Sequence, residues 1–139
     1  MVYLTNENIQ PEFSRKVRFK TRGFAKGAKA EGLSDVALVG GISEVRDGLI
    51  DARLGGNLVK KRIAIGGTGK RGGLRSILVY TGPTGNVFCV YVFAKRETDN
   101  ISANQLKELK LLAKVLLGWK DKEIDKAIKT GVLEGSRGS

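Results

Sequence analysis

A chain of 139 residues with 41% apolar side chains supports one domain around one core, and with only 6% aromatics that core is aliphatic. Its 25 lysines and arginines against 14 aspartates and glutamates leave a formal charge of +11, which favours a polyanionic partner and argues against a cation-binding scaffold. With no histidine and a single cysteine, Cys89, the sequence excludes histidine-based triads and bases, cysteine-rich metal centres and internal disulfides.

Met1 to Gln10 is polar and lacks the apolar core of a signal peptide. No run reaches the roughly 18 apolar residues of a membrane span. A cytoplasmic protein with no membrane partner is expected. Residues 1–16 read as an N-terminal extension, 17–134 as the folded domain and 135–139 as a scar appended to it.

Val17–Lys20 is a candidate first strand. From about Thr21 the spacing of Phe24 and Ala28 predicts a helix that stops near Gly32. Ser34 is a suitable N-cap for a second helix, along which Leu38, Ile42, Val45 and Leu49 recur at helical spacing. Gly40 and Gly41 each weaken that helix by about 1 kcal/mol, and Gly48 is placed to end it. Three strands follow: Leu58–Ile65, Leu74–Thr81 and Val87–Ala94. The third is almost continuously apolar, so it is expected to be central and covered on both faces, with Gly82–Asn86 turning the chain before it. Ser102 and Gln105 have the spacing of a capping box. The helix they open carries Leu106, Leu109, Ala113 and Leu116 on one face, with Lys107, Lys110 and Lys114 on the other, and Gly118 ends it. Asp121 is placed to cap a last helix to Thr130, closed by Gly131. The order β-α-α-β-β-β-α-α is that of an α+β domain with an antiparallel sheet.

Charge is unevenly spread. Between Asp51 and Glu97 there is no carboxylate, while Arg53, Lys60, Lys61, Arg62, Lys70, Arg71, Arg75, Lys95 and Arg96 all fall in that interval. Strand periodicity puts Lys60 and Arg62 on one face. Arg75 opens the next strand and Lys95–Arg96 close the third, so an antiparallel sheet can gather these groups into one patch. Ordinary surfaces intersperse both signs; a one-signed field across a sheet suits a polyphosphate. A second run, Arg15, Lys16, Arg18, Lys20, Arg22, Lys26 and Lys29, is also free of carboxylates and reads equally as a solvated helix face or a contact surface. The segment Gly66–Gly73 is not a phosphate-binding P-loop, because Ala64 stands where the first glycine is needed and Arg71 where a serine or threonine is needed. It reads as a connection that lets Lys70 and Arg71 reach a nucleic-acid backbone. Cys89, in mid-strand, reads as a small buried hydrophobe.

Three segments taken together, Leu54–Arg62, Gly69–Arg75 and Val92–Ile101, resemble the RelE/ParE toxin superfamily, and within it the HigB-like RelE toxins of bacterial type II toxin–antitoxin systems. The resemblance spans roughly Val17 to Leu133. It implies a RelE-like, microbial-ribonuclease-like α+β fold: two N-terminal helices on a small antiparallel sheet, with C-terminal helices. It also implies an mRNA interferase that cleaves message on the ribosome and is silenced by a cognate antitoxin, of the helix-turn-helix kind. By motif position, Lys60 and Arg62 resemble the paired basic residues on the sheet of RelE-type enzymes. Arg75 resembles the arginine of their G-x-R segment, and Arg96, with Lys95 beside it, the arginine of their G-K-R-E segment. Ser102 stands where those enzymes carry a tyrosine, and the histidines common in HigB enzymes have no counterpart.

RNA cleavage by its own 2′-hydroxyl needs a base, cations at the phosphorane and a proton for the leaving 5′-oxygen, but no metal and no cofactor. Arginine stays protonated and serves as a clamp; lysine can exchange a proton when neighbouring cations disfavour its charge. Lys60 is therefore the candidate base, Arg62 and Arg75 the transition-state clamps, and Lys95 or Arg96 the leaving-group stabiliser, with Lys61, Lys70 and Arg71 as RNA contacts. Two other functions are weighed against this one: a ParE-type gyrase poison, which has no need of a phosphate clamp, and a non-catalytic RNA- or ribosome-binding protein, for which no RRM or KH signature is present.

Overall fold

The computed structural model describes residues 18–65, 73–83, 85–95 and 100–136. Along them the chain forms β1 (Arg18–Thr21), α1 (Arg22–Ala30), α2 (Asp35–Arg46), β2 (Ala52–Gly55), β3 (Leu58–Ile63), β4 (Leu74–Tyr80), β5 (Val87–Ala94), α3 (Ala103–Leu117), α4 (Asp121–Lys129) and β6 (Leu133–Ser136).

Side-chain caps set the helix starts, because the first backbone N–H groups of a helix have no partner within it. The Thr21 hydroxyl accepts from the Phe24 N–H and the Ser34 hydroxyl from the Ala37 N–H at 3.1 Å. Ser102 and Gln105 form the reciprocal box, each side chain accepting from the other residue's backbone N–H. The start of α4 differs from expectation. Its N-cap is Lys120, whose N–H donates to Glu123 Oε1 at 2.6 Å, and Asp121 lies in the first turn, where its charge meets the positive end of the helix. Gly48 takes a left-handed φ of 92° just past α2 and Gly131 one of 81° just past α4, as helix ends favour.

The strands form one sheet in the order β2-β3-β4-β5-β1-β6. From β2 to β5 it is an antiparallel meander. β5 is central, between β4 and β1, as its apolar run predicts. Three features depart from the sequence reading. β2 and β6 are additional edge strands, and β1 runs parallel to β5, with Phe19 beside Phe88. β1 can do so because α1 and α2 carry the chain away from it to the far edge, where β2 begins. The domain limit drawn at residue 134 cuts through β6, since Gly135 pairs with Phe19 and Ser136 with Arg18. A Cβ at Gly135 would run into the Phe19 ring, so glycine is needed there by close approach and is part of the fold.

Helices cover both sheet faces. On one, Phe24 and Ala28 of α1 and Leu38, Ile42 and Val45 of α2 pack on Val59, Ile63, Leu78 and Cys89. On the other, Ala113 and Leu116 of α3 and Ile124 and Ala127 of α4 pack on Leu58, Ile77, Val79 and Phe88, together with Phe19 and Leu133. Each such Val, Leu, Ile or Phe side chain, once fully buried, contributes about 1.5–3 kcal/mol. Leu49 lies beyond the end of α2 and is exposed. The alternation along β3 then decides the placement of its charges: Val59, Lys61 and Ile63 face α1 and α2, while Leu58, Lys60 and Arg62 face the other side.

Candidate functional site

Arg62 on β3 and Arg75 on β4 are register partners. They lie on the face that carries α3 and α4, because Arg75 alternates in step with Ile77 and Val79. Lys60 precedes Arg62 by one pleat, and Lys95 follows the end of β5. These four cations, with Asp51, line an open cleft of about 460 Å³. Like charges directly opposite on a sheet are destabilising, and Arg75 is 6% exposed. Its Nη1 donates to the Gly73 carbonyl at 3.4 Å, and among the described residues it makes no ion pair. Such an arrangement is relieved by an anion placed between the two guanidinium groups, and planar, forked guanidiniums suit the oxygens of a phosphate.

Asp51 is the group that charge counting along the sequence missed. It sits just ahead of β2, and its backbone N–H donates to the Lys60 carbonyl at 3.0 Å. Its carboxylate accepts from the Arg62 backbone N–H at 2.6 Å and from Arg62 Nε at 3.1 Å. A hairpin about the turn at Gly55–Asn57, where all three residues have left-handed φ, brings Asp51 back beside Lys60 and Arg62. The G-G-N sequence is the signal that could have revealed it.

Lys61 requires a correction. Read as an RNA contact, it instead faces α2, 3% exposed, with Nζ 2.6 Å from Glu44 Oε1 and 3.0 Å from the Leu49 carbonyl. The pleat turns it away from Lys60 and Arg62, and its charge is used in holding α2 on β3. Lys70, Arg71 and Arg96 lie outside the described residues, as does most of the Gly66–Gly73 segment.

Among the described residues, the second basic run does not form a comparable site; Arg15 and Lys16 lie outside them. Lys20 is bound to Asp35 at 3.1 Å and to Glu134 at 3.7 Å, and Arg22 Nε donates to the Gly131 carbonyl. A second cleft of about 240 Å³ beside Lys20 therefore has a lining of both signs. Cys89, which also lines it, is wholly buried, and burial pushes its thiol up to about 12; it is inert, as its mid-strand position suggested. Tyr80 is buried, and Tyr91 is half-buried with its hydroxyl accepting from Gln105 Nε2 at 3.1 Å. Among the described residues no helix is long and apolar enough to cross a membrane, and no cluster of metal-ligating side chains occurs.

The family model for the RelE toxin of the RelE/RelB toxin–antitoxin system matches residues 16–135, most of the chain. The chain belongs to the RelE toxin family. The matched region ends at Gly135, inside β6, and the α+β architecture is the RelE-like one. No curated protein matches the chain. As a RelE-family toxin, it has an antitoxin for a partner.

Proposed function

We propose that this RelE toxin is an endoribonuclease that cleaves mRNA on the ribosome and so inhibits translation. The observation that carries the reading is the Arg62–Arg75 pair, two arginines opposite each other in strand register and lining a cleft together with Lys60 and Lys95. The reaction is attack by the 2′-oxygen on the adjacent phosphorus, with departure of the 5′-oxygen, leaving a cyclic phosphate and a free 5′-hydroxyl. Lys60 takes the 2′-hydroxyl proton. Arg62 and Arg75 bind the phosphorane oxygens. Lys95, with Arg96 next to it in sequence, stabilises the leaving oxygen, and the Lys95 ammonium gives it the proton that makes the 5′-hydroxyl, while Lys70 and Arg71 contact the RNA backbone. Preorganised donors of this kind are worth about 3–4 kcal/mol each at the transition state. Orientation of the message by the ribosome supplies several more, so a site without histidine suffices. The cognate antitoxin, of the helix-turn-helix kind, acts in the cytoplasm where the ribosomes are.

The test is translation-dependent cleavage of an mRNA by the purified protein. Cuts confined to the translated part of the message are expected from the native protein and not from Arg75→Ala. Uncut message under active translation would overturn the reading. Ribosome binding without cleavage would leave a non-catalytic binder, and inhibition of DNA supercoiling instead would indicate a gyrase poison.

A further inference from the structure

The geometry points to Asp51 as a positioning residue that aims Arg62 into the cleft. The inference rests on the reading of that cleft as the RNA-cleaving site. One Asp51 oxygen accepts from the Arg62 backbone N–H and the other from its Nε. A single carboxylate thus holds Arg62 at its backbone and at the Nε of its guanidinium, and Asp51 is itself anchored by its backbone N–H on the Lys60 carbonyl. A guanidinium has five N–H donors; with Nε engaged, and no bond to the terminal nitrogens from the described residues, those nitrogens are left for the phosphorane. Asp51 is the one carboxylate among the described residues lining the cleft. In a cleft selected only to attract RNA, a negative charge would be out of place, because it weakens ground-state attraction. Its presence is explained if orientation of Arg62 matters more than one unit of charge. A role as proton acceptor fits less well, since both carboxylate oxygens already accept from Arg62.

The two roles separate in a double-mutant cycle of Asp51→Asn, Arg62→Ala and the pair, followed by single-turnover cleavage of ribosome-bound mRNA, ribosome affinity and melting temperature. Asn retains an oxygen for the Arg62 backbone N–H and loses the charged hold on Nε. Asp51→Asn is expected to slow cleavage about ten- to a hundred-fold, as misorientation does. Ribosome affinity stays level or rises, because removing a carboxylate strengthens attraction to phosphate. Arg62→Ala slows cleavage about a hundred- to a thousand-fold, and the double variant is no slower than Arg62→Ala, since Asp51 acts only through Arg62. Should Asp51→Asn melt below the assay temperature, Asp51→Glu, which keeps the charge and displaces it by one methylene, replaces it with the same expected order. Multiplying losses in the double variant would overturn the proposal in favour of direct proton transfer. Rate, affinity and melting temperature falling together would reduce Asp51 to a structural cap. If Arg62→Ala is slowed while Asp51→Asn cleaves normally, only the positioning role falls; if the native protein cleaves nothing, the underlying reading falls with it.

Discussion

Under the proposed reading, Arg62 and Arg75 set stability against function. Replacing Arg75 with methionine keeps most of the packed volume and removes the cross-strand repulsion. The Arg75→Met protein should melt higher, by about 0.5–1 kcal/mol of added stability, while losing cleavage about a hundred- to a thousand-fold. Lys122→Ala, on α4 and away from β3 and β4, should alter neither quantity. A cleavage-competent Arg75→Met would sink the clamp assignment. Lys61 gives the converse case. Lys61→Ala removes a buried partner of Glu44 and is expected to cost about 1–3 kcal/mol, with the cleavage rate per folded molecule unchanged; chemical denaturation beside single-turnover kinetics decides it. At this scale the sequence was legible where its period showed: Lys60 and Arg62, two apart, had to share a face. Lys61 was misjudged because a count of cations ignores the pleat. Asp51 was missed because its nearness to Arg62 exists only once β2 and β3 have closed as a hairpin.

Among the elements, helix starts were the most legible, since a cap such as Ser102 with Gln105 is a local hydrogen-bonding fact. The edge strands were the least. β2 holds only Ala-Arg-Leu-Gly and β6 only Leu-Glu-Gly-Ser, compositions that become strands through their neighbours and not through propensity. The parallel placement of β1 depends on where two helices deliver the chain, which no local pattern encodes. The glycine pair in α2 shows how packing overrides propensity. A Cβ at Gly40 meets nothing, whereas one at Gly41 lies 3.0 Å from Ile63 on β3. Gly40→Ala should therefore stabilise by about 0.5–1 kcal/mol, and Gly41→Val should destabilise by about 1–3 kcal/mol through overpacking against Ile63. Equal shifts in the two melting curves would contradict this account of the α2–β3 contact.

For the whole molecule, the charge of +11 sets how the proposed binding to a ribosome depends on salt. Neutralising six phosphates of a single strand gives a log–log salt slope of about −4 to −5, so affinity for the ribosome or for RNA should fall steeply between low and physiological salt. A flat titration would count against the basic cleft as the contact. The same field invites an acidic inhibitor. The antitoxin is expected to place carboxylates over Lys60, Arg62 and Arg75, or to block that face sterically from the helices, and a structure of the complex with the cleft open to a ribosome would contradict both. That Lys60, Arg62 and Arg75 could gather on one face was legible in the sequence, because strand period and antiparallel pairing dictate it; the Asp51 carboxylate among them was not, because it depends on register between β2 and β3.

The pairing of β1 with β5 and β6 bears on the order of assembly during synthesis. A chain growing from its N-terminus makes β1 first, yet of its two neighbours β5 is the last strand of the meander and β6 the last strand of the chain. That meander is built from successive hairpins and can close locally. Lys60, Arg62 and Arg75 therefore meet while Phe19 still waits for Leu133 and Gly135 to cover its strand. In a nascent toxin the anion-attracting surface thus precedes the finished core, and translation arrested before β6 would leave a protein already basic at its cleft but with β1 open along one side.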